Sequence, residues 1–180
     1  TDAVTVAQAN AVNALTTGVV TGTISTGDMA TLAGLTETGH AYTVTVTDTT
    51  VAASALNTLN AKTTGVVTVQ GTTITGTVAD INTAYTSNAA GTITGLGNEA
   101  VTITDTSISA SALITLDAQT TGVVNAAAVT TITGTFAEIN ALYALGANGT
   151  ITGLGNEAIT ISGILTVAQA NTLAAQTPGV

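Results

Sequence analysis

The sequence predicts an α/β fold: a right-handed parallel βα solenoid with short helices on one face and a parallel β-sheet on the other. Residues 91–104 return almost unchanged at 149–162, and repetition at a fixed period is typical of coils that stack on their neighbours. Strand-like and helix-like segments also alternate, which indicates parallel strands joined by helical crossovers. We therefore expect coils of about 24–30 residues, two to each double repeat of 57–58 residues.

A second motif divides the chain into units. Thr-Thr-Gly-Val-Val occurs at residues 16–20, 63–67 and 120–124, and Thr-Pro-Gly-Val occurs at 177–180. Its glycines follow the last turn of each predicted helix, where a left-handed glycine often ends the helix. They are Gly18, Gly65, Gly122 and Gly179. The spacing predicts one array, with approximate repeats 1–48, 49–105 and 106–162 and a partial repeat 163–180. Because the array starts and stops at equivalent points, we expect a fragment of a longer chain.

Helix start signals recur along the chain. A Ser or Thr followed three residues later by Gln, Glu or Asp resembles a capping box, and it occurs at Thr5, Ser25, Thr77, Thr135 and Thr166. With the apolar i, i+3 stripes, these signals predict seven helices near residues 6–15, 27–34, 51–61, 78–87, 108–118, 136–145 and 167–175. Branched apolar residues alternate with Thr at 44–47, 101–104 and 159–162, which predicts strands. Further short strands near 123–125 and 131–133 predict a second β face for each coil.

Composition excludes several classes of function. The 180 residues include one Lys or Arg against ten Asp and Glu, a net charge of −9. Nucleic-acid binding needs basic residues that neutralise phosphates, so we expect no nucleic-acid partner. No apolar run approaches the roughly 20 residues that span a bilayer, so we expect no membrane insertion. No catalytic motif accompanies the repeat, and strict repetition argues against a unique active site. We therefore predict that the chain is not an enzyme.

Segments 54–67, 73–85 and 95–105 resemble the repeats of giant Thr/Ala/Gly-rich cell-surface proteins of marine cyanobacteria, of the type associated with swimming motility. The resemblance covers nearly the whole chain. It implies an extracellular or cell-surface location and a structural or adhesive role, and it assigns no function to particular residues. The first repeat departs from the pattern, because it is shorter and Thr-Gly-His-Ala-Tyr at 38–42 replaces Gly-Leu-Gly-Asn-Glu.

A pair of polar residues follows each Gly-Leu-Gly sequence. The pairs are Asn98 with Glu99 and Asn156 with Glu157. Stacked amide and carboxylate oxygens are ligands that Ca²⁺ prefers, which makes these four residues candidate metal ligands, with Asp48 and Asp105 as further contributors. The alternative is a tight turn in which Gly supplies positive φ and the Asn and Glu side chains cap backbone groups. Apart from Ca²⁺, the sequence predicts no cofactor.

Threonines on the predicted strands form a second candidate surface. An outward row of hydroxyls resembles the ice-binding faces of Thr-rich β-solenoids, and its members are Thr43, Thr45, Thr47, Thr102, Thr104 and Thr160. The alternative is that Thr is the solvent-facing strand residue of a chain with few charges. His40, the single histidine, has no recurring neighbours and is predicted to be a loop residue.

The pattern as a whole favours a non-enzymatic structural repeat segment of an extracellular protein, acting as a spacer, in adhesion or in filaments. Unpaired strand edges at the ends of such an array favour end-to-end self-association, or pairing with neighbouring repeats of the parent chain. The alternative is a binding module for Ca²⁺, glycan or ice on the repeated Thr and Asn surface.

Overall fold

The computed structural model describes residues 2–36 and 38–177, which form a mixed α/β fold with parallel sheets. The chain divides into two compact units. Unit 1 comprises Thr1–Thr75 and Ala79–Gly97, and unit 2 comprises Gly76–Val78 and Asn98–Val180. The predicted α/β class and the parallel pairing of strands are confirmed.

In unit 1, strands and helices alternate. The elements in chain order are α1 (Val6–Asn13), β1 (Thr21–Thr23), α2 (Met29–Leu32), β2 (Ala41–Val46), β3 (Thr50–Ala52), α3 (Ala53–Asn60), β4 (Val67–Val69), β5 (Thr73–Gly76), α4 (Val78–Ala89) and β6 (Ile93–Thr94). Strands β1, β2, β4 and β6 form one sheet in that order, and β3 pairs with β5. Val44 pairs with Val67, and Val67 with Ile93, so successive strands lie 23 and 26 residues apart. The spacing agrees with the period expected for one coil.

Unit 2 repeats this organisation. Its elements are β7 (Ala100–Ile103), β8 (Ser107–Ser109), α5 (Ala110–Asp117), β9 (Val124–Asn125), β10 (Thr131–Gly134), α6 (Phe136–Asn148), β11 (Ile151–Thr152), β12 (Ala158–Ile161) and α7 (Val167–Gln176). Strands β8, β10 and β12 form one sheet, while β7, β9 and β11 pair in another. Each helix of the unit therefore follows two short strands that belong to different sheets, which confirms the predicted second β face.

The core consists of small branched side chains in thin layers. Six residues before each motif glycine stands an apolar helix residue, and nine before stands another. In α3 and α5 these pairs are fully buried, with Leu56, Leu59, Leu113 and Leu116 at most 1 % exposed. Each layer contributes little apolar area alone, because β-branched and Leu side chains are small, so stability depends on coils covering one another.

Capping residues begin the helices at defined points. The boxes at Thr5, Thr135 and Thr166 are confirmed, since both reciprocal hydrogen bonds are present in each. The box predicted at Ser25 is wrong. Asp28 is the N-cap of α2, and its Oδ1 accepts the Thr31 amide at 2.7 Å, which lowers the pKa of this exposed carboxyl. The seven predicted helices are all present in the described ranges. Among these residues, no helix combines the length and the apolar character needed to cross a bilayer.

Candidate functional site

The Gly-Leu-Gly-Asn-Glu turn of unit 2 is built around a buried carboxylate. Residues 153–157 join β11 to β12, and Gly153 and Gly155 have φ angles of 83° and 120°. Glu157 is 1 % exposed. Its Oε2 accepts hydrogen bonds from the Tyr143 hydroxyl at 2.8 Å and the Gly155 amide at 2.9 Å. Glu157 therefore ties the turn to helix α6 while satisfying a backbone group within the turn.

Tyr143 is held as a neutral hydrogen-bond donor. Burial raises the pKa of its hydroxyl, and the hydrogen bond to Glu157 and the negative charge of Glu157 raise the pKa further. The folded-state pKa therefore lies above the ordinary tyrosine value of about 10. A pKa that is raised on folding contributes stability that is fully present below the unfolded value and is lost as pH rises through the folded value.

We expect the free energy of unfolding to fall above about pH 10 in the wild type, and to fall less steeply in Tyr143→Phe. Some slope should remain in the variant, because burial also raises the pKa of Tyr42, although its hydrogen bond to Asn13 acts in the opposite direction. Urea unfolding at pH 8, 9, 10 and 11 measures both slopes. Identical slopes in the two proteins would contradict the assignment to Tyr143.

The four candidate Ca²⁺ ligands separate into exposed amides and buried carboxylates. The side chains of Asn98 and Asn156 are exposed, whereas Glu99 is 3 % exposed. The backbone amide of Asn98 donates to Glu99 Oε2 at 3.1 Å. Within residues 2–36 and 38–177, no three His, Asp or Glu side chains lie close enough together to hold a metal ion. These contacts favour turn residues that satisfy backbone groups, and Ca²⁺ binding stays a prediction.

Asp48 and Asp105 bind helix N-termini. Asp48 Oδ2 accepts the amide of Met29, the first residue of α2, at 2.7 Å. Asp105 Oδ2 accepts the amide of Val78, the first residue of α4, at 2.8 Å. A helix N-terminus favours negative charge, so both carboxylates stabilise the helix they contact. The partners lie 19 and 27 residues away along the chain, which is why the local sequence does not reveal them.

None of the motif glycines in the described residues ends a helix. Helices α1, α3 and α5 end five residues before Gly18, Gly65 and Gly122, and these three glycines do not have positive φ. The predicted left-handed helix cap is therefore wrong at these positions, and Gly179 lies outside the described residues. The left-handed cap occurs elsewhere in the repeat, at Gly149, which follows α6 with a φ of 82°.

Close approach of a neighbouring strand is what requires glycine in this motif. A Cβ on Gly65 would lie 2.3 Å from the Tyr42 carbonyl oxygen, and a Cβ on Gly122 would lie 2.1 Å from the Glu99 carbonyl oxygen. Real Cβ atoms do not approach backbone oxygen so closely, so the strand would have to move. We call this packing of a motif glycine on a neighbouring carbonyl the glycine contact.

A threonine completes each glycine contact. Thr63 and Thr120, two residues before the glycines, donate to the same two carbonyls at 2.7 and 2.8 Å. Each hydroxyl also accepts the amide of its own motif glycine, at 3.0 and 2.9 Å. In the first motif the Thr16 hydroxyl accepts the Gly18 amide at 3.0 Å, but a Cβ on Gly18 would meet only that hydroxyl, at 3.4 Å. The first motif therefore has the same local structure without the neighbouring strand.

The threonines predicted to form one outward array do not all share a sheet. In unit 2, Thr102 lies on β7, which pairs with β9, while Thr160 lies on β12, which pairs with β10. These two residues therefore do not belong to one row, which corrects that part of the expectation. Thr104 follows β7. In unit 1, Thr43 and Thr45 lie on β2 and Thr47 follows it.

Shorter hydroxyl rows form between paired strands instead. Thr45 pairs with Thr68, and Thr68 with Thr94, with the last two hydroxyl oxygens 3.2 Å apart. In unit 2, Thr133 pairs with Ser109 on one side and with Thr160 on the other. The side chains of Thr45, Thr68 and Thr94 are half-buried, so part of each hydroxyl row is taken up by contacts within the sheet.

His40 has a structural role that the sequence did not reveal. The amides of Val67 and Val124 donate to the Thr92 and Thr150 carbonyls, each at 2.9 Å. In the shorter first repeat the equivalent amide, that of Val20, donates to His40 Nδ1 at 3.1 Å. The imidazole, 8 % exposed, therefore takes the place of a backbone carbonyl where the chain has fewer residues.

A cavity of about 350 Å³ lies beside the turn of unit 2 and is lined by Tyr143, Gly146, Leu154 and Gln176, among others. The equivalent of Gly146 in the preceding repeat is Asn88, whose Oδ1 accepts the Leu96 amide at 3.3 Å. The cavity thus lies where the repeat lacks that side chain. A second cleft, of about 220 Å³, adjoins β1 in unit 1.

We expect Gly146→Asn to stabilise the protein by about 1 kcal/mol, because it removes a glycine from a helix and supplies an acceptor for the Leu154 amide. A Cβ at this position meets only the Leu154 side chain, with Cδ1 at 3.3 Å. Thermal unfolding of this variant and of the reciprocal Asn88→Gly measures the effect. A loss of stability in Gly146→Asn would show that the repeats differ here for another reason.

Comparison of the chain with protein-family models, with curated protein sequences and with solved structures gave no match. No relative or structural neighbour therefore bears on its function.

Proposed function

We propose that this chain is a non-enzymatic structural segment of an extracellular repeat protein, a right-handed βα solenoid whose first and last coils are covered by neighbouring repeats. The location follows from the resemblance of its sequence to cell-surface repeats. Parallel strands that recur every 23–27 residues through each unit support the solenoid. Parallel strands joined by helical crossovers are almost always right-handed.

The observation that carries the proposal is a difference in exposure between equivalent residues. Val12 in α1 is 46 % exposed, whereas its equivalents Leu59 and Leu116 are at most 1 % exposed. At the other end, Val167 in α7 is 80 % exposed, whereas Ala53 and Ala110 are 0 % exposed. The first and last coils therefore present surfaces that the interior coils bury.

Strand residues show the same difference. Ile159 and Ile161 on β12 are half-buried, while the equivalent Val101 and Ile103 are at most 1 % exposed. Apolar surface left in water costs roughly 25 cal/mol per Å², so a further coil at each end would stabilise the fold. A spacer that is extended by adding coils has this property, and a closed domain does not.

Helices α1 and α7 each carry half of one set of contacts. Asn10 of α1 bonds forward to the Gly34 carbonyl at 2.8 Å, as Asn57 of α3 bonds to the Asp80 carbonyl at 2.9 Å. Gln176 of α7 bonds backward to Asn140 at 3.1 Å. One helix in a continuous array would make both sets.

Fusing two copies so that one helix serves both tests the proposal. Residue 176 of the first copy is joined directly to residue 16 of the second, so that α7 takes the place of α1. We expect one cooperative thermal transition with a midpoint several degrees above that of the single chain, because the fused ends are buried.

The control is a fusion of two complete chains, which inserts the surplus residues 177–180 and 1–15 at the junction. We expect it to unfold like the single chain. If both fusions unfold at the midpoint of the single chain, neighbouring repeats do not cover these ends and the proposal fails.

A further inference from the structure

Within each unit, one parallel contact recurs with the same register. Val44 pairs with Val67, and its amide donates to the Val66 carbonyl at 2.9 Å. Val101 pairs with Val124, and its amide donates to the Val123 carbonyl, also at 2.9 Å. In both cases the glycine contact follows from this register, because the accepting carbonyl lies two residues before the first valine.

The two halves of this contact also occur separately, one at each end of the repeat array. Ile159 on β12 is the equivalent of Val44 and Val101, and β12 is the last strand of its sheet. Val20 is the equivalent of Val67 and Val124, and it immediately precedes β1, the first strand of its sheet. Thr16 and Gly18 retain the motif that elsewhere holds a neighbouring carbonyl, although no carbonyl lies against Gly18.

We propose that a second copy of this chain docks head to tail, with Ile159 of one copy opposite Val20 of the next in parallel register. The Ile159 amide then donates to the Val19 carbonyl of the second copy, and the Glu157 carbonyl packs on Gly18 and accepts the Thr16 hydroxyl. The inference rests on the proposed function and names its partner and register. Because the two faces differ, the contact does not close on itself and generates open chains of copies.

Docking in this register requires one helix to leave, since α1 and α7 stand at equivalent positions before Gly18 and Gly179. The geometry points to α7. Its Leu173 is its one buried residue in the described ranges, while Ile164 and Val167 are 100 % and 80 % exposed. Helix α1 is held more firmly, because Asn10 bonds to the Gly34 carbonyl and the Thr36 amide, and Asn13 accepts the Tyr42 hydroxyl.

Charge opposes the contact only at long range. The strands β1 and β12 read Thr-Gly-Thr and Ala-Ile-Thr-Ile and carry none of the Lys or Pro residues that commonly block edge pairing. The net charge of −9 on each copy repels the next. Salt shortens the screening length from about 30 Å at 0.01 M to about 8 Å at 0.15 M, so docking is expected to increase with ionic strength.

A pair of cysteines tests the register, since the chain has no cysteine of its own. Thr21 and Thr160 are exposed, and they stand where Thr68 and Thr45 pair directly. Under mild oxidation in 0.15 M NaCl, we expect Thr21→Cys/Thr160→Cys to give a reducible ladder of dimers, trimers and longer chains on non-reducing gels. Each single variant is expected to stop at dimers.

Two matched variants complete the experiment. Thr45→Cys/Thr68→Cys reports whether a disulfide forms in this register inside one chain, and Thr23→Cys/Thr160→Cys shifts the register by two residues. We expect the first to oxidise as a monomer and the second to give at least several-fold fewer multimers. Adding Leu173→Ala to the ladder-forming variant loosens α7 and is expected to raise the multimer yield several-fold.

The proposal is overturned if the Thr21→Cys/Thr160→Cys protein forms no more trimers and longer species than its single variants. It is also overturned if this protein forms an internal disulfide, or if the shifted pair gives the same ladder. The fusion of residue 176 to residue 16 separates this failure from that of the proposed function. A raised unfolding midpoint in that fusion, with no ladder, would mean that repeats stack within one chain but separate copies do not dock.

Discussion

Replacing Gly122 with alanine is expected to cost about 3 kcal/mol or more of unfolding free energy, or to prevent folding. The added Cβ would lie 2.1 Å from the Glu99 carbonyl oxygen and 2.5 Å from its carbon. Both atoms are backbone, so relief requires moving a strand rather than rotating a side chain. Gly65→Ala should have a similar effect, because its Cβ would lie 2.3 Å from the Tyr42 carbonyl oxygen.

Gly18→Ala is the matched control, since it makes the same change in the same five-residue motif. Its Cβ would meet only the Thr16 hydroxyl at 3.4 Å, and its φ is not positive. We expect a change between zero and a gain of about 1 kcal/mol, because alanine restricts the unfolded chain. Urea unfolding followed by circular dichroism measures all three variants. Equal losses in Gly18→Ala and Gly122→Ala would mean that the motif needs glycine for local conformation.

Replacing Glu157 with leucine is expected to cost about 3 kcal/mol, the second large effect. The substitution leaves the Tyr143 hydroxyl and the Gly155 amide buried without their acceptor, and unsatisfied buried donors cost about 1–3 kcal/mol each. Tyr143→Phe removes one donor and should cost about 1–2 kcal/mol. In the double variant the hydroxyl is no longer stranded, so the two losses should add to less than their sum.

Asn156→Ala controls for changes in the same turn, because the Asn156 side chain is exposed and we expect an effect within about 0.5 kcal/mol. Thermal unfolding in EDTA and in millimolar Ca²⁺ completes the set. If Glu157 serves the turn, Ca²⁺ should leave the midpoint of the wild type unchanged. A Ca²⁺-dependent rise that Asn156→Ala or Glu157→Leu abolishes would establish the metal site instead, since a ligand that binds only the folded state raises the midpoint.

Much of the local structure follows from the sequence. All seven helices of the described ranges begin within two residues of their predicted starts, because caps such as Thr135 with Glu138 act over three residues. The buried pairs Leu56 with Leu59 and Leu113 with Leu116 were equally visible, since i, i+3 spacing puts both side chains on one face. These features depend on neighbours along the chain, which a sequence displays directly.

The role of the repeated glycine did not follow from the sequence. A glycine shortly after a helix is compatible both with a left-handed cap and with close packing on a neighbouring strand. The carbonyl that decides between them, Glu99 for Gly122, lies 23 residues away. The same holds for Asp48 and Asp105, whose helix partners lie in other coils.

The sequence by itself determined the α/β class, the period, the helices and the parallel sense of the strands. Repetition and helical crossovers leave few other arrangements. Only the tertiary structure decided which strands share a sheet, and therefore that Thr102 and Thr160 stand in different rows. It also decided that Glu157 lies buried beside Tyr143 and that equivalent residues differ in exposure at the two ends of the repeat array. The physical reason is that burial and register are set by the coil above and below, which no local pattern specifies.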